Sequence, residues 1–130
     1  MEGKNSEDLA QEQNGVHREP HPYVIPDVFK DFSQRTVCFV GKVKEIKEVK
    51  DTKRLVITRS DNKTEVQVNN YKGDPGITGK IIEIRGIVNK DNKTLSYGQH
   101  TVFNDQFDQV GFDKMLDYYH GLCRHLILGK

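Results

Sequence analysis

The chain has 130 residues, of which 35% are hydrophobic, and this length and composition suit one domain with a modest core. Its 20 Lys and Arg and 19 Asp and Glu leave a formal net charge of +1, which excludes a protein that binds nucleic acid mainly through a strongly basic surface. No apolar run approaches the roughly 20 residues that cross a bilayer, and the first residues lack the apolar core of a secretory signal. We therefore expect no membrane contact and a location in the cytosol or nucleus.

The N-terminal part of the sequence contains little that could pack. Residues 1–22 are polar, so no burial offsets the entropy cost of ordering them, and we expect a disordered tail. In the segment that follows, Val28, Phe29 and Phe32 share one face of a short helical turn. We expect this turn to plug one end of a small barrel.

Five strand patterns then follow, at residues 36–48, 55–58, 64–68, 80–89 and 94–103. Gly41 interrupts the first of them, as glycine does where a barrel strand bends. The stretch 70–80 holds too many Gly and Pro residues for a helix and predicts a loop. Five strands with a long connection between the third and fourth predict a five-stranded Greek-key barrel of the oligonucleotide-binding (OB) fold over residues 23–104.

An amphipathic helix is predicted within residues 105–130, from Asp108 onward. Its apolar stripe recurs at three-and-four spacing and comprises Phe112, Met115, Leu116, Tyr119, Leu122, Cys123 and Leu126. Burying such a stripe is worth on the order of 10 kcal/mol before ordering costs, so we expect it to be covered. The pattern leaves two covers open, namely the chain's own barrel and helices of other chains.

The early strands are basic but lack a stacking platform. The candidates for a weak nucleic-acid contact are Lys42, Lys44, Lys47, Lys53 and Arg54. No Phe, Tyr or Trp lies between Val40 and Asn70, and interleaved acidic residues dilute the positive charge. The face is therefore predicted to be either a solvated charged surface or a weak track for a strand held by a partner. Tyr71 and Tyr97 could each stack one base or serve as barrel residues.

No residue pattern predicts an enzyme, a cofactor site or a metal site. The glycines at 73–79 lack phosphate-loop spacing. His120, Cys123 and His125 could form only half of a zinc site, and we expect both histidines to face solvent. Cys38 and Cys123 lie among apolar residues, which predicts buried, reduced thiols.

The phrase TVCFVGKVKEI at residues 36–46, together with the order of the elements, resembles the small subunit of replication protein A, the eukaryotic single-stranded-DNA-binding heterotrimer. The resemblance extends over residues 25–126, although beyond the first strand it is mainly one of pattern. It implies a C-terminal helix that joins helices of the middle and large subunits, with the apolar stripe as the trimerisation face. It also implies little DNA affinity for the small subunit by itself.

The resulting hypothesis is a non-enzymatic assembly subunit of a nuclear trimer of this type, acting in DNA replication, repair and recombination. Its DNA contact would be made mainly through the partners. Two alternatives stay open, a small subunit of a telomeric single-strand-binding or telomerase accessory trimer and a free-standing OB-fold nucleic-acid binder.

Overall fold

The computed structural model describes residues 21–122, with side chains as far as residue 121, and shows a closed barrel followed by a helix. Its strands and its α-helix are β1 Thr36–Val49, β2 Thr52–Thr58, β3 Glu65–Tyr71, β4 Ile81–Val88, β5 Thr94–Val102 and α1 Gln109–Leu122. Two short 3-10 helices, Pro26–Phe32 and Pro75–Ile77, precede β1 and β4 respectively. The tail expected at residues 1–22 lies almost entirely outside the described residues.

The strands close in the order β1-β2-β3-β5-β4, with β4 pairing back to β1. Every neighbouring pair is antiparallel except β3 and β5, which run parallel from Gln67↔Thr94 to Asn69↔Ser96. Closure gives most strand backbone groups a partner, which limits exposed sheet edges. The predicted five-stranded Greek-key OB barrel with a terminal helix is confirmed.

β1 is long because it serves both halves of the barrel. Its first half pairs with β4 and its second half with β2, and Lys42 belongs to both pairings. At Gly41 a Cβ atom would lie 2.2 Å from Cγ2 of Ile57, so only glycine lets the strands cross so closely here. A bulge between Val43 and Glu45 follows immediately. The strand therefore bends where its glycine predicts.

The barrel core is formed by inward-pointing side chains of the strands and by side chains of the segment that precedes β1. In β1, residues 37–40 are all buried, Cys38 among them, as their double-sided apolar pattern predicts. The first 3-10 helix buries Val28, Phe29 and Phe32 in the same core cluster. Phe29 packs edge-to-face on Phe39 with ring centroids 6.2 Å apart. The predicted helical turn is thus part of the core.

The β2–β3 and β4–β5 turns repeat one tetrapeptide, DNKT, as Asp61–Thr64 and Asp91–Thr94. The asparagine of each has a left-handed φ, 58° and 59°. Asp61 accepts hydrogen bonds from the backbone N–H and the hydroxyl of Thr64, at 2.9 and 2.6 Å. These bonds lower the pKa of Asp61 to about 2, and equivalent bonds lower that of Asp91. The same local chemistry therefore closes both hairpins.

Two strand ends differ from the sequence prediction. β2 begins at Thr52 rather than at Leu55, and β3 continues to Tyr71, which pairs with Lys53. Polar residues extend these strands because ladder hydrogen bonds need only backbone groups. The predicted loop is correspondingly shorter, and it contains the one-turn 3-10 helix Pro75–Ile77.

Candidate functional site

Helix α1 begins beside the barrel. Oδ1 of Asp108 accepts a hydrogen bond from the backbone N–H of Gly111 at 3.0 Å, an N-cap arrangement that satisfies one free donor of the first turn. One residue inside the helix, Nε2 of Gln109 donates to the carbonyl of Thr58 at 3.1 Å. The first turn of the helix is thus attached to the end of β2.

Arg59 fastens the middle of α1 to the β2–β3 turn. Its Nη1 lies 3.0 Å from Oδ1 of Asp117, and its Nη2 lies 3.6 Å from Oδ1 of Asp113 and donates to the Asp113 carbonyl at 3.3 Å. The backbone N–H of Ser60 donates to Oδ2 of Asp113 at 2.8 Å. The side chains of Arg59 and Asp113 are only 12% and 7% exposed. Since water screens this pair poorly, losing one partner would leave a costly buried charge.

An apolar contact lies next to this ion pair. Leu116 is 5% exposed and belongs to the barrel core cluster. Phe112 packs edge-to-face on Tyr23, with centroids 5.5 Å apart, and also contacts the ring of Phe107. The sequence left open whether the chain's own barrel or other chains cover the apolar stripe. For one side of α1, the cover is the chain's own barrel.

The side of α1 that packs on the barrel, which we call its inner face, also includes His120. The expectation that His120 faces solvent is wrong. Its side chain is 3% exposed, and Nε2 lies 2.8 Å from the carbonyl oxygen of Tyr23. Because a carbonyl can only accept, Nε2 carries the proton. The histidine is buried because the extended segment at Tyr23 brings an acceptor under the helix. Cys123 and His125, the other members of the half zinc site, lie outside the described residues.

Tyr23 links the helix to β4. Its hydroxyl donates to Oε1 of Glu83 at 2.5 Å, and Oε2 of Glu83 lies 3.4 Å from Nη2 of Arg85. The hydrogen bond to the nearby carboxylate is the main cause that raises the pKa of Tyr23 to about 12. The segment before the barrel is therefore held between α1 and β4.

The side of α1 turned away from the barrel carries large exposed side chains, and we call it the outer face. It includes Met115 at 50% exposure, Tyr118 at 65% and Tyr119 at 44%, together with exposed Lys114. Val110, which is 52% exposed, lies at its edge beside Arg59 and Asp113. Large side chains this exposed on one short helix are typical of a protein contact. The outer face is therefore the candidate partner-binding surface among the described residues.

The predicted trimerisation stripe is divided between the two sides of α1. Phe112 and Leu116 lie on the inner face, whereas Met115 and Tyr119 lie on the outer face. The remaining predicted positions, Leu122, Cys123 and Leu126, have side chains outside the described part of the chain. The trimerisation role of the stripe stays a prediction.

The sequence reasoning missed Val110 and Tyr118. Tyr118 follows Met115 by three residues and precedes Leu122 by four, so the same spacing rule could have found it. A second, overlapping stripe through Leu116 fits that spacing equally well.

The five basic candidates do not form one track. Nζ of Lys44 lies 2.5 Å from Oε2 of Glu65, and Nε of Arg54 donates to Oδ1 of Asn69 at 3.0 Å. Lys42 and Lys44 line a small cavity of about 280 Å³ next to the β2–β3 turn. Of these partners only Glu65 is a carboxylate and offsets positive charge, whereas Asn69 fixes the Arg54 side chain without neutralising it.

Lys47 and Lys53 lie elsewhere. Lys47 is exposed on β1, opposite Arg54 in the ladder. Lys53 lines an open groove of about 720 Å³ beside the β1–β2 turn, together with Lys72 and Tyr97. Nucleic-acid contact at Lys42, Lys44, Lys47, Lys53 and Arg54 stays a prediction.

Among residues 21–122, no group of three or more His, Cys, Asp or Glu side chains could hold a metal ion. Burial raises the pKa of the Cys38 thiol, which disfavours the reactive thiolate.

No helix within the described range is long and apolar enough to span a membrane.

A closed five-stranded barrel with a terminal helix packed on it places the chain among the OB-fold proteins. The family described as Replication factor A protein 3 matches residues 17–126. The chain belongs to this family and is thus a protein of the replication protein A small-subunit type. No curated protein shows a significant sequence match to it.

Solved structures show the same fold at low sequence identity. Replication protein A of U. maydis bound to ssDNA has 18% identity and a TM-score of 0.62, over 82% of this chain and 97% of that one. The S. pombe telomere capping protein Ten1 has 11% identity and a TM-score of 0.57, over 78% and 99%. Yeast replication protein A bound to ssDNA has 13% identity and a TM-score of 0.54, over 83% and 98%.

Proposed function

We propose that the chain is the non-enzymatic assembly subunit of a nuclear, heterotrimeric single-stranded-DNA-binding complex of the replication protein A type, acting in DNA replication, repair and recombination. It joins the middle and large subunits through α1. The observation that carries this proposal is the outer face, where Met115, Tyr118 and Tyr119 stay exposed although the barrel already covers the other side of the helix.

The free energy gained by burying the outer face can be compared with the cost of association. Full burial of a large apolar side chain stabilises by about 1.5–3 kcal/mol, and the outer side chains are already about half buried. The described outer face thus contributes a few kcal/mol, whereas association costs about 4–15 kcal/mol. A stable complex therefore needs further contact, and the sequence continues the spacing of Met115 and Tyr118 with Leu122 and Leu126.

The surface of β2 and β3 supports the second half of the proposal, that DNA is held mainly by the partners. No aromatic side chain lies between Val40 and Asn70, and Lys44 and Arg54 are engaged with Glu65 and Asn69. Since each stacked base is worth about 1–3 kcal/mol, a face without aromatic residues gives up most of the affinity that such a fold can offer.

The test is a double substitution on the outer face, Met115→Glu with Tyr119→Glu. The chain is co-expressed with the middle and large subunits from its source organism, and the complex is measured by size-exclusion chromatography with light scattering. We expect loss of the ternary complex, because two carboxylates would be buried without partners. The barrel should keep its far-UV circular dichroism, since neither side chain belongs to the core.

The matched control is Gln99→Glu with Gln106→Glu, which adds the same charge at two exposed positions outside α1. It should leave the trimer intact. A trimer that forms normally with the Met115 and Tyr119 substitutions would rule out the outer face as the docking surface. Leu116 is unsuitable for this test because a charge there would disrupt the chain's own core.

A telomeric small subunit is the second candidate, and the TM-score of 0.57 to the telomere capping protein Ten1 favours keeping it. Co-expression with a Stn1-type partner in place of the middle subunit separates the two. Stable complex formation with the Stn1-type partner alone would favour the telomeric assignment.

A further inference from the structure

Four aromatic rings form a continuous row beside the first turn of α1. The ring of Phe103 stacks on that of Phe107, with centroids 4.4 Å apart and 16° between the planes. The Phe107 and Phe112 centroids lie 5.6 Å apart, and those of Phe112 and Tyr23 lie 5.5 Å apart. We call these four residues the aromatic row. It joins the connection after β5 to α1 and to the segment before the barrel.

The aromatic row is only partly covered by the chain itself. Tyr23 is 40% exposed, and Phe103, Phe107 and Phe112 are each half-buried. Phe29, which fills the barrel, is by contrast fully buried. The row therefore keeps aromatic surface available for a contact from outside the chain.

The connection that carries Phe103 and Phe107 has a fixed backbone. The N–H of Phe103 donates to the carbonyl of Ile81 at 2.9 Å. Oδ1 of Asn104 accepts from the N–H of Gln106 at 2.9 Å, and the Asn104 carbonyl accepts from the N–H of Phe107 at 3.2 Å. These bonds close a turn immediately before α1. A ligand therefore meets rings that are already oriented, which lowers the entropy cost of binding.

The charge beside the aromatic row is negative. Asp105 and Asp108 flank Phe107 in the chain, and both are exposed. Within the described residues neither of these aspartates forms an ion pair. The sequence has no lysine or arginine among residues 101–113. At the far end of the row Glu83 is already paired with Arg85, so the unbalanced charge lies with the two aspartates.

Part-exposed rings beside unpaired carboxylates suit one class of ligand. A guanidinium group stacks on aromatic faces by cation–π attraction and pairs with a carboxylate through two parallel hydrogen bonds. A polyanion such as single-stranded DNA would be repelled by the two aspartates. An uncharged apolar segment would leave the carboxylates without partners. The chemistry therefore fits a basic peptide that carries apolar residues between its arginines.

From these observations we infer that the aromatic row, with Asp105 and Asp108, is a docking site for an arginine-containing segment of another protein. An arginine of that segment contacts the Phe107 ring and pairs with one of the aspartates, and an apolar neighbour contacts the Tyr23 end of the row. The site goes beyond the proposed function, because it uses the connection before α1 rather than the outer face of the helix.

The experiment is a titration of the full-length, 15N-labelled chain with the acetylated, amidated peptide GSRLRSLG, followed by amide NMR spectra. We expect saturable shifts for the amides of Phe103, Asp105, Phe107 and Asp108 at about 0.1 M salt, and weaker binding as the salt is raised. The same peptide with glutamine in place of both arginines should give no shifts.

Three results of this titration would overturn the proposal. The first is the absence of shifts at millimolar arginine peptide. The second is an equal response of the same amides to a thymidine oligonucleotide, which would make the row a nucleic-acid contact. The third is a set of shifts that depends on protein concentration without any peptide, because a second copy of the chain would then cover the row.

Charge variants test the two aspartates. Asp105→Asn with Asp108→Asn should weaken binding of the arginine peptide by about 2-fold to 30-fold, the loss of two exposed ion pairs. Asparagine caps a helix as well as aspartate does, so α1 should stay folded. The matched control is Asp51→Asn with Asp74→Asn, which also removes two exposed charges, one of them on a carboxylate that accepts from a backbone N–H. This control should bind within about twofold of the wild type, since distant charges are screened.

Ring variants separate binding from a merely structural role of Phe107. Phe107→Leu keeps an apolar side chain but removes the ring, and it should weaken binding of the arginine peptide by about 2-fold to 30-fold. Phe107→Tyr keeps the ring and should bind within about twofold of the wild type. A folded Phe107→Leu chain that binds normally would overturn the site, as would equal losses from the two aspartate pairs. The Asp105 and Asp108 variant should still form the trimer, so the two proposals are tested separately.

Discussion

The two sides of α1 differ in a way that hydrophobicity alone does not predict. The inner face buries the polar groups of Asp113 and His120, whereas the outer face leaves Met115 and Tyr118 exposed. The inner polar groups are buried because Ser60 and Arg59 contact the aspartate and a backbone carbonyl accepts from the histidine. The side of a helix that packs on its own domain is thus decided by the bonding groups it meets there.

The largest expected effect comes from breaking the inner ion pair with Arg59→Ala. Removing the arginine leaves the Asp113 carboxylate buried without its cation, so the free energy of unfolding should fall by about 3–5 kcal/mol in urea titrations. Arg35→Ala is the matched control, since Arg35 is exposed and only lies over the Phe32 ring. It should cost less than about 1 kcal/mol. Similar losses for both variants would mean that the ion pair does not hold the helix.

A smaller effect compares neighbouring apolar residues on the two faces. Leu116→Ala should lower the free energy of unfolding by about 2–5 kcal/mol because it leaves a cavity in the core. Met115→Ala should lower it by about 0.5 kcal/mol or less, as for other surface changes. Equal costs for the two, measured by denaturant unfolding of the isolated chain, would show that the inner and outer faces are wrongly assigned.

The smallest effect concerns the turn that carries Arg59 and Ser60, and it depends on pH. Asp61 has a folded pKa of about 2, below the unfolded value of about 3.9. Its contribution is therefore present above about pH 4 and is lost as the pH falls toward 2. In Asp61→Asn, the free energy of unfolding should be lower near neutral pH and should decline less between pH 4 and pH 2.

The control for this pH test is Asp105→Asn, which changes an exposed aspartate outside the two DNKT turns. It should keep the acid dependence of the wild type. Denaturant unfolding at several pH values between 2 and 6 gives the comparison, and identical acid profiles for Asp61→Asn and the wild type would contradict the turn argument.

Much of the fold was predictable because its signals are local. Residues 37–40 are apolar on both faces, Gly41 lies where β1 bends, and the loop at 70–80 is rich in breakers. Together with the other strand patterns and the three-and-four apolar spacing after Asp108, they predicted the strand count, the long β3–β4 connection and the terminal helix. The ends of β2 and β3 were less accurate, since Thr52 and Tyr71 pair through backbone groups that leave no mark in side-chain hydropathy.

The candidate sites were only partly predictable because they depend on residues far apart in sequence. The three-and-four spacing places Met115 and Leu116 in one predicted stripe. The contacts of Arg59 and Tyr23 with α1 show which face packs on the barrel, and the two residues lie on different faces. The groove beside the β1–β2 turn is lined from β2, β3 and β5, so the sequence shows Tyr97 and Lys53 without showing that they line one groove.

The contact of His120 with Tyr23 joins positions 97 residues apart. The ribosome therefore synthesises the barrel strands before α1. Until α1 is made, the carbonyl of Tyr23, in the extended segment that pairs with β1, lacks its bond to His120. Helix α1 then covers the segment at Tyr23, which is among the first residues that the structure describes. The surface that we propose for assembly therefore takes its final orientation only after α1 has been synthesised.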